Sequence, residues 1–144
     1  MFERIAIVNR GEAAMRLIRA AREIQFEQDA PLTTIAFYTE VERNAMFVRE
    51  ADEAILIHSS RTSAYLDHQV LEAALRRCGA DAVWVGWGFV SEDPEFADLV
   101  ERMGLTRPVT TQDLAWAAAY LASSKSSTVT GQTLAVDGGH FMNL

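Results

Sequence analysis

Through the first hundred residues, short apolar runs alternate with amphipathic stretches. Arg4–Asn9 (RIAIVN) is too brief for a helix and ends at a turn-prone Asn-Arg-Gly, which predicts a buried strand. The period then changes. From Glu12 to about Gln28, Ala14, Leu17, Ile18, Ala21 and Ile24 share one helical stripe, Arg16, Arg19, Arg22 and Glu23 take other faces, and Pro31 ends the helix. Thr33–Thr39 is β-branched and aromatic, a second strand, followed by a helical stretch at Glu42–Glu50 and a third strand at Glu53–His58. Asp67–Cys78 predicts a helix with Val70, Leu71, Ala74 and Leu75 facing inward and Gly79 as its stop. Ala82–Trp87 is a fourth strand. A helix opens at Asp93-Pro94, buries Phe96, Leu99, Val100 and Met103, and closes at Gly104. Further on, Thr110 to Asp113 has capping-box spacing, and Leu114, Ala117, Ala118 and Leu121 form a stripe. Ser123–Ser127 reads as a loop, Gln132–Val136 as a last strand and Asp137-Gly138-Gly139 as a turn.

Strands alternating with helices imply an α/β fold: a Rossmann-like, three-layer αβα sandwich on a parallel sheet of about five strands. Right-handed crossovers make 3-2-1-4-5 the expected order. The length suits one domain over residues 1–144. In such a sheet a crevice opens at the carboxyl ends of strands 1 and 4, where the order reverses. Two glycine-bearing loops fall there, Asn9-Arg10-Gly11-Glu12 and Gly86-Trp87-Gly88-Phe89. The first leads into a helix whose free N–H groups suit an anion, while Gly11 also simply permits a tight turn. It is not a dinucleotide fingerprint, since a single glycine stands where three are needed and Glu12 adds a negative charge.

Charge narrows the function classes. Residues 1–105 carry 11 arginines, no lysine and 18 acidic groups, a balance of −7; residues 106–144 carry Arg107, Lys125, Asp113 and Asp137, a balance of zero. A net acidic chain without a basic stripe is a poor nucleic-acid binder, and no apolar run approaches a membrane span. His58, His68 and His140 are scattered without metal-ligand spacing. A lone Cys78 and the lack of a secretion-signal pattern point to a cytoplasmic protein.

Three collinear blocks carry a resemblance. IAIVNRGEAAMRLIRAARE resembles the first strand, loop and helix of biotin carboxylases. YTEVERNAMFVREADEAI is similar to their second and third strand region. WVGWGFVSEDPEFADL resembles their glycine-aromatic segment, usually His-Pro-Gly-Tyr-Gly-Phe-Leu-Ser-Glu-Asn-Pro. The Trp-Val-Gly-Trp form departs from that pattern and looks more like acyl-CoA carboxylases with large fused chains. The resemblance implies that Trp87, Gly88 and Phe89 lie at the edge of a biotin site. It places Arg16, Arg19 and Glu23 at the subunit interface of homodimeric members, a solvated helix face being the other reading. It also implies that ATP, bicarbonate and magnesium belong mainly to an ATP-grasp domain, so no cofactor is expected in this chain itself.

After Met103-Gly104-Leu105 the chain instead reads RPVTTQDLAWAAAYLASSKSSTVTGQTLAVDGGHFM, which resembles the closing helix and strand of short-chain dehydrogenases. The glycine-rich NAD(P) loop and the Tyr-x-x-x-Lys pair of that family are missing, and no tyrosine lies four residues before Lys125. Trp116 and Tyr120, spaced i,i+4, form an aromatic pair that either packs inward or drives self-association.

A step in composition at the same place as a step in resemblance suggests a chimera, engineered or recombined. The leading expectation is a non-catalytic Rossmann-like scaffold lacking both active sites. One alternative is a fragment of a biotin-dependent acyl-CoA carboxylase that needs an ATP-grasp partner; another is residual nucleotide, biotin or anion binding at the crevice. A homodimer is a further expected arrangement.

Overall fold

The computed structural model describes residues 2–29, 31–105 and 111–131. The chain divides into two compact units, Met1–Leu105 and Thr106–Leu144.

In the first unit, strands β1 (Arg4–Ile7), β2 (Thr33–Tyr38), β3 (Glu53–Leu56) and β4 (Ala82–Trp84) form an all-parallel sheet in the order β3-β2-β1-β4. Helices α1 (Gly11–Gln28), α2 (Met46–Glu50), α3 (His68–Cys78) and α4 (Pro94–Arg102) cover its two faces. Strand alternation decides which face receives what. Ala6, Val8, Ile35, Phe37 and Ile57 pack with Leu71, Leu75, Phe96 and Val100 of α3 and α4. Ile7 and Ala36 point the other way, onto Ala14 and Ile18 of α1 and Phe47 of α2. The three-layer α/β reading and the first four positions of the expected order therefore hold. The expected fifth strand, Gln132–Val136, and Thr110 of the expected capping box lie outside the described residues.

Two aspartates start helices as the sequence predicts. Asp67 accepts from the Val70 amide at the head of α3, and Asp93 accepts from the Glu95 and Phe96 amides ahead of Pro94 in α4. At the opposite end, where the strands begin, Arg4 grips Glu53 through two hydrogen bonds of 2.9 and 2.8 Å, while the Glu3 and Arg4 amides donate to Asp81.

Several boundaries differ from expectation, each for a local reason. The helix expected over Glu42–Glu50 is a 3-10 turn at Glu40–Glu42 followed by the short α2. Glu42 turns its carboxylate back onto the Thr39 amide and hydroxyl, a reciprocal capping box that closes the turn. Strand 1 leaves the ladder after Ile7 and strand 4 after Trp84, because beyond them the Asn9 side chain takes over the pairing. Ile24, placed on the buried stripe of α1, is 38% exposed, since the helix outruns the sheet it covers.

In the second unit, α5 (Thr111–Leu121) leads into a 3-10 turn at Ser124–Ser126, where the buried Ser126 hydroxyl donates to the Leu121 and Ser123 carbonyls. The expected stripe on α5 does not form a buried face: Leu114 and Leu121 are exposed, as are Trp116 and Tyr120.

Candidate functional site

The carboxyl ends of β1 and β4 are joined by one buried side chain. Asn9, 3% exposed, donates from Nδ2 to the Val85 and Trp87 carbonyls at 2.7 and 2.9 Å, and its Oδ1 accepts from the Arg10 amide. The two loops singled out from the sequence are thus joined by two hydrogen bonds from one side chain, which the Arg10 amide in turn orients. Gly86, Gly88 and Phe89 all adopt positive φ (61°, 76° and 50°). For a bulky residue such as Phe89 that conformation is strained by roughly 1–3 kcal/mol and is retained where the surroundings impose it.

Those surroundings are visible. The Phe89 ring stacks on Tyr65 (centroids 4.8 Å apart, planes at 28°), and the Arg10 guanidinium carbon lies 5.8 Å from its centroid. Tyr65 is buried, and its hydroxyl donates to the Phe37 carbonyl at 2.8 Å and to Glu42 at 3.0 Å. Glu42 also accepts from Arg10 at 3.2 Å, which closes a ring of contacts Arg10–Glu42–Tyr65–Phe89. Burial works against the Glu42 charge, yet hydrogen bonds from Thr39, Tyr65 and Arg10 outweigh it and hold the carboxyl below its ordinary range. Burial, then the Glu42 charge, pushes the Tyr65 hydroxyl far upward, so it stays a proton donor.

At the other end of the same segment, Asp93 receives the His68 ring at 2.7 Å. Burial raises the Asp93 carboxyl, but His68 and the two helix amides more than offset this and lower it.

Arg10 and Gly11, with Met15, Glu42, Ala45, Met46 and Phe47, line an open cleft of about 250 Å³. This cleft lies between the head of α1 and the turn before α2, and Gly86–Phe89 are not among its lining residues. Trp87 projects outward, 59% exposed. Glu12 is engaged along the helix surface by Arg16, at 2.6 and 3.0 Å, and Arg16, Arg19 and Glu23 are all exposed on α1. Among the described residues no three His, Cys, Asp or Glu side chains are grouped to hold a metal ion, and no helix is long and apolar enough to cross a membrane.

Glu42, Tyr65 and His68 were not among the residues expected at the site, and Asn9 was expected there only as part of the first loop, with no role of its own. The Thr39-x-x-Glu42 spacing was a legible cap signal. Nothing in the sequence marks Tyr65, whose place follows from a buried hydroxyl needing a partner.

This arrangement of sheet and loops has relatives. Residues 1–107 match the family model described as biotin carboxylase, N-terminal domain. The chain belongs to this family. It is 37% identical over 106 residues to the 2-oxoglutarate carboxylase small subunit of Hydrogenobacter thermophilus, covering 74% of this chain and 21% of that one. It is 40% identical over 106 residues to the mitochondrial methylcrotonoyl-CoA carboxylase subunit alpha of Arabidopsis thaliana, covering 72% and 14%. The crystal structure of the Hydrogenobacter thermophilus 2-oxoglutarate carboxylase biotin carboxylase domain dimer, in complex with MgADP, ADP and bicarbonate, superposes with a TM-score of 0.65 at 37% identity, over 74% of this chain and 22% of that one. The chain thus spans about a fifth or less of the length of these relatives. Biotin carboxylase domains related to it form dimers and occur in multidomain carboxylases. A second family model, described as enoyl-(acyl carrier protein) reductase, matches residues 86–140 and overlaps the first over residues 86–107.

Proposed function

We propose that residues 1–105 serve as the opening lobe of a biotin-dependent carboxylase, contributing to ATP-dependent carboxylation of biotin together with an ATP-grasp partner. The observation that carries this reading is the pinned pair of loops in a chain of the biotin carboxylase N-terminal family. Trp87, Gly88 and Phe89 present the edge that faces biotin, and Asn9, Tyr65 and Arg10 hold that edge in one conformation. Preorganisation of this kind contributes to binding by removing the ordering cost at the moment of association. Nucleotide, magnesium and bicarbonate are assigned to the partner, whose chemistry they supply. The exposed Arg16, Arg19 and Glu23 on α1 are the surface for a second copy.

The test is complementation. The chain, mixed with a biotin carboxylase lacking its own opening subdomain, should form a complex and restore bicarbonate- and biotin-dependent ATP hydrolysis. No complex by sedimentation at high concentration, with no activity, refutes the proposal.

A second reading concerns residues 106–144. The reductase-family match over 86–140, the step in charge and the unit boundary at Leu105 favour a chimera in which this segment has a short-chain dehydrogenase origin and adds no chemistry of its own. If that segment completes one cooperative scaffold, a chain ending at Leu105 melts below the full chain. Equal melting temperatures would rule out that cooperativity.

A further inference from the structure

The glycine-aromatic segment, residues 85–93, is held at its start by the uncharged amide of Asn9 and in its middle by the Tyr65 ring and the Arg10 guanidinium. Its far end is different. Asp93 closes the segment with a backbone hydrogen bond to the Val90 carbonyl and caps α4 through Oδ1. Its second oxygen, Oδ2, is taken by His68 Nε2 at 2.7 Å, and the opposite ring nitrogen faces Glu95 at 3.9 Å. His68 is the first residue of α3, so its ring ties the head of one helix to the head of the next, with the Phe96 ring against it at 5.9 Å.

We propose that His68 is a positioning residue for the biotin-facing segment, acting through Asp93 and transmitting its own charge state to residues 86–90; the biotin-facing role of that segment rests on the function proposed above. The physical basis is the dual use of one carboxylate. An imidazolium at Nε2 makes the contact an ion pair, while the neutral ring leaves an ordinary hydrogen bond and removes the attraction to Glu95. A change in the pull on Oδ2 moves a side chain whose Oδ1 is fixed on the α4 amides, and the backbone of Asp93 carries the change to Val90 and the residues before it. The charged groups facing the ring from α4 are Asp93 and Glu95. On its own helix, Asp67 is engaged by Ser59, Arg61 and the Val70 amide, and Glu72 is paired with Arg76, so neither competes for the ring.

The experiment is amide NMR of the full chain, titrated from just above the carboxylate range to mildly alkaline pH while the histidine ring signals are followed, for the wild type, His68→Gln and Asp93→Asn. Asparagine caps helices as well as aspartate does, so Asp93→Asn keeps α4 while removing the charge that His68 meets. In the wild type, the Gly86–Val90 amides should shift with the same midpoint as the His68 ring. His68→Gln should abolish that shift, and Asp93→Asn should reduce it to the level of amides remote from the site, such as those of β1. Segment amides that ignore the His68 ring, that still titrate in His68→Gln, or that keep their full shift in Asp93→Asn overturn the proposal. No partner domain enters the measurement. Complementation without loop coupling therefore refutes this inference alone, and coupling without complementation refutes only the proposed function.

Discussion

Replacing Gly86 with alanine probes the closest backbone approach in the site. Gly86 sits at φ 61°, and a Cβ built there would lie 2.6 Å from Trp84 Cη2, 2.9 Å from Trp84 Cζ2 and 3.0 Å from Asn9 Nδ2. Two costs combine. The left-handed backbone costs an alanine about 1–2 kcal/mol. Forcing the indole aside adds about 1–3 kcal/mol, since overpacking is relieved only by moving neighbours, and Trp84 is itself packed against the Ile7 and Ile18 cluster. Gly88 supplies the control. It has a similar φ of 76° but nothing within 4 Å of its notional Cβ, so Gly88→Ala bears the backbone cost alone. Gly86→Ala should therefore be less stable than Gly88→Ala by about 1–3 kcal/mol. In urea unfolding of the full chain followed by far-ultraviolet circular dichroism, that is a gap of about 1 M between midpoints, given ordinary m-values. Equal midpoints would refute the reasoning, because they would mean that Trp84 and Asn9 do not crowd this position.

Two further outcomes follow from the same network. Asn9→Ala leaves the Val85 and Trp87 carbonyls without their donor and should cost about 1–3 kcal/mol, with faster amide exchange confined to residues 86–90; unchanged exchange there would show that Asn9 does not hold the loop. Glu42 has its carboxyl lowered by folding, so the unfolded chain takes up its proton first; the stabilisation is complete above the ordinary glutamate value of 4.5 and is lost as pH falls through the lower folded value. Glu42→Gln should accordingly flatten the acid side of the stability–pH curve, and a curve parallel to that of the wild type would contradict this.

Much of the first unit was legible from pattern alone. Strands of three to six residues whose alternate positions are buried on opposite faces, and helices whose stripes recur at helical spacing, leave a parallel sheet with two covered faces as the consistent arrangement. Asp67 and Asp93 announced their helices because a cap is a local interaction. Local reasoning went astray at Glu40–Glu50, where a helical pattern competed with a carboxylate that had partners elsewhere. Glu42 reaches Tyr65 and Arg10, 23 and 32 residues away, and no window of sequence contains those contacts.

The candidate site shows the same division. The sequence by itself determined the layered fold, the order of its first four strands, the two glycine-bearing loops and the family to which they point, because each depends on periodicity or on motifs a few residues long. Only the tertiary structure decided that Asn9 welds those loops together, that Phe89 is held in a strained backbone conformation between Tyr65 and Arg10, and that His68 shares a carboxylate with the cap of α4. These are pairings between groups 24 to 79 residues apart, fixed by crossovers that bring the carboxyl ends of parallel strands to one end of the sheet. Their geometry follows from how the chain returns to that end, which no local pattern of side chains encodes.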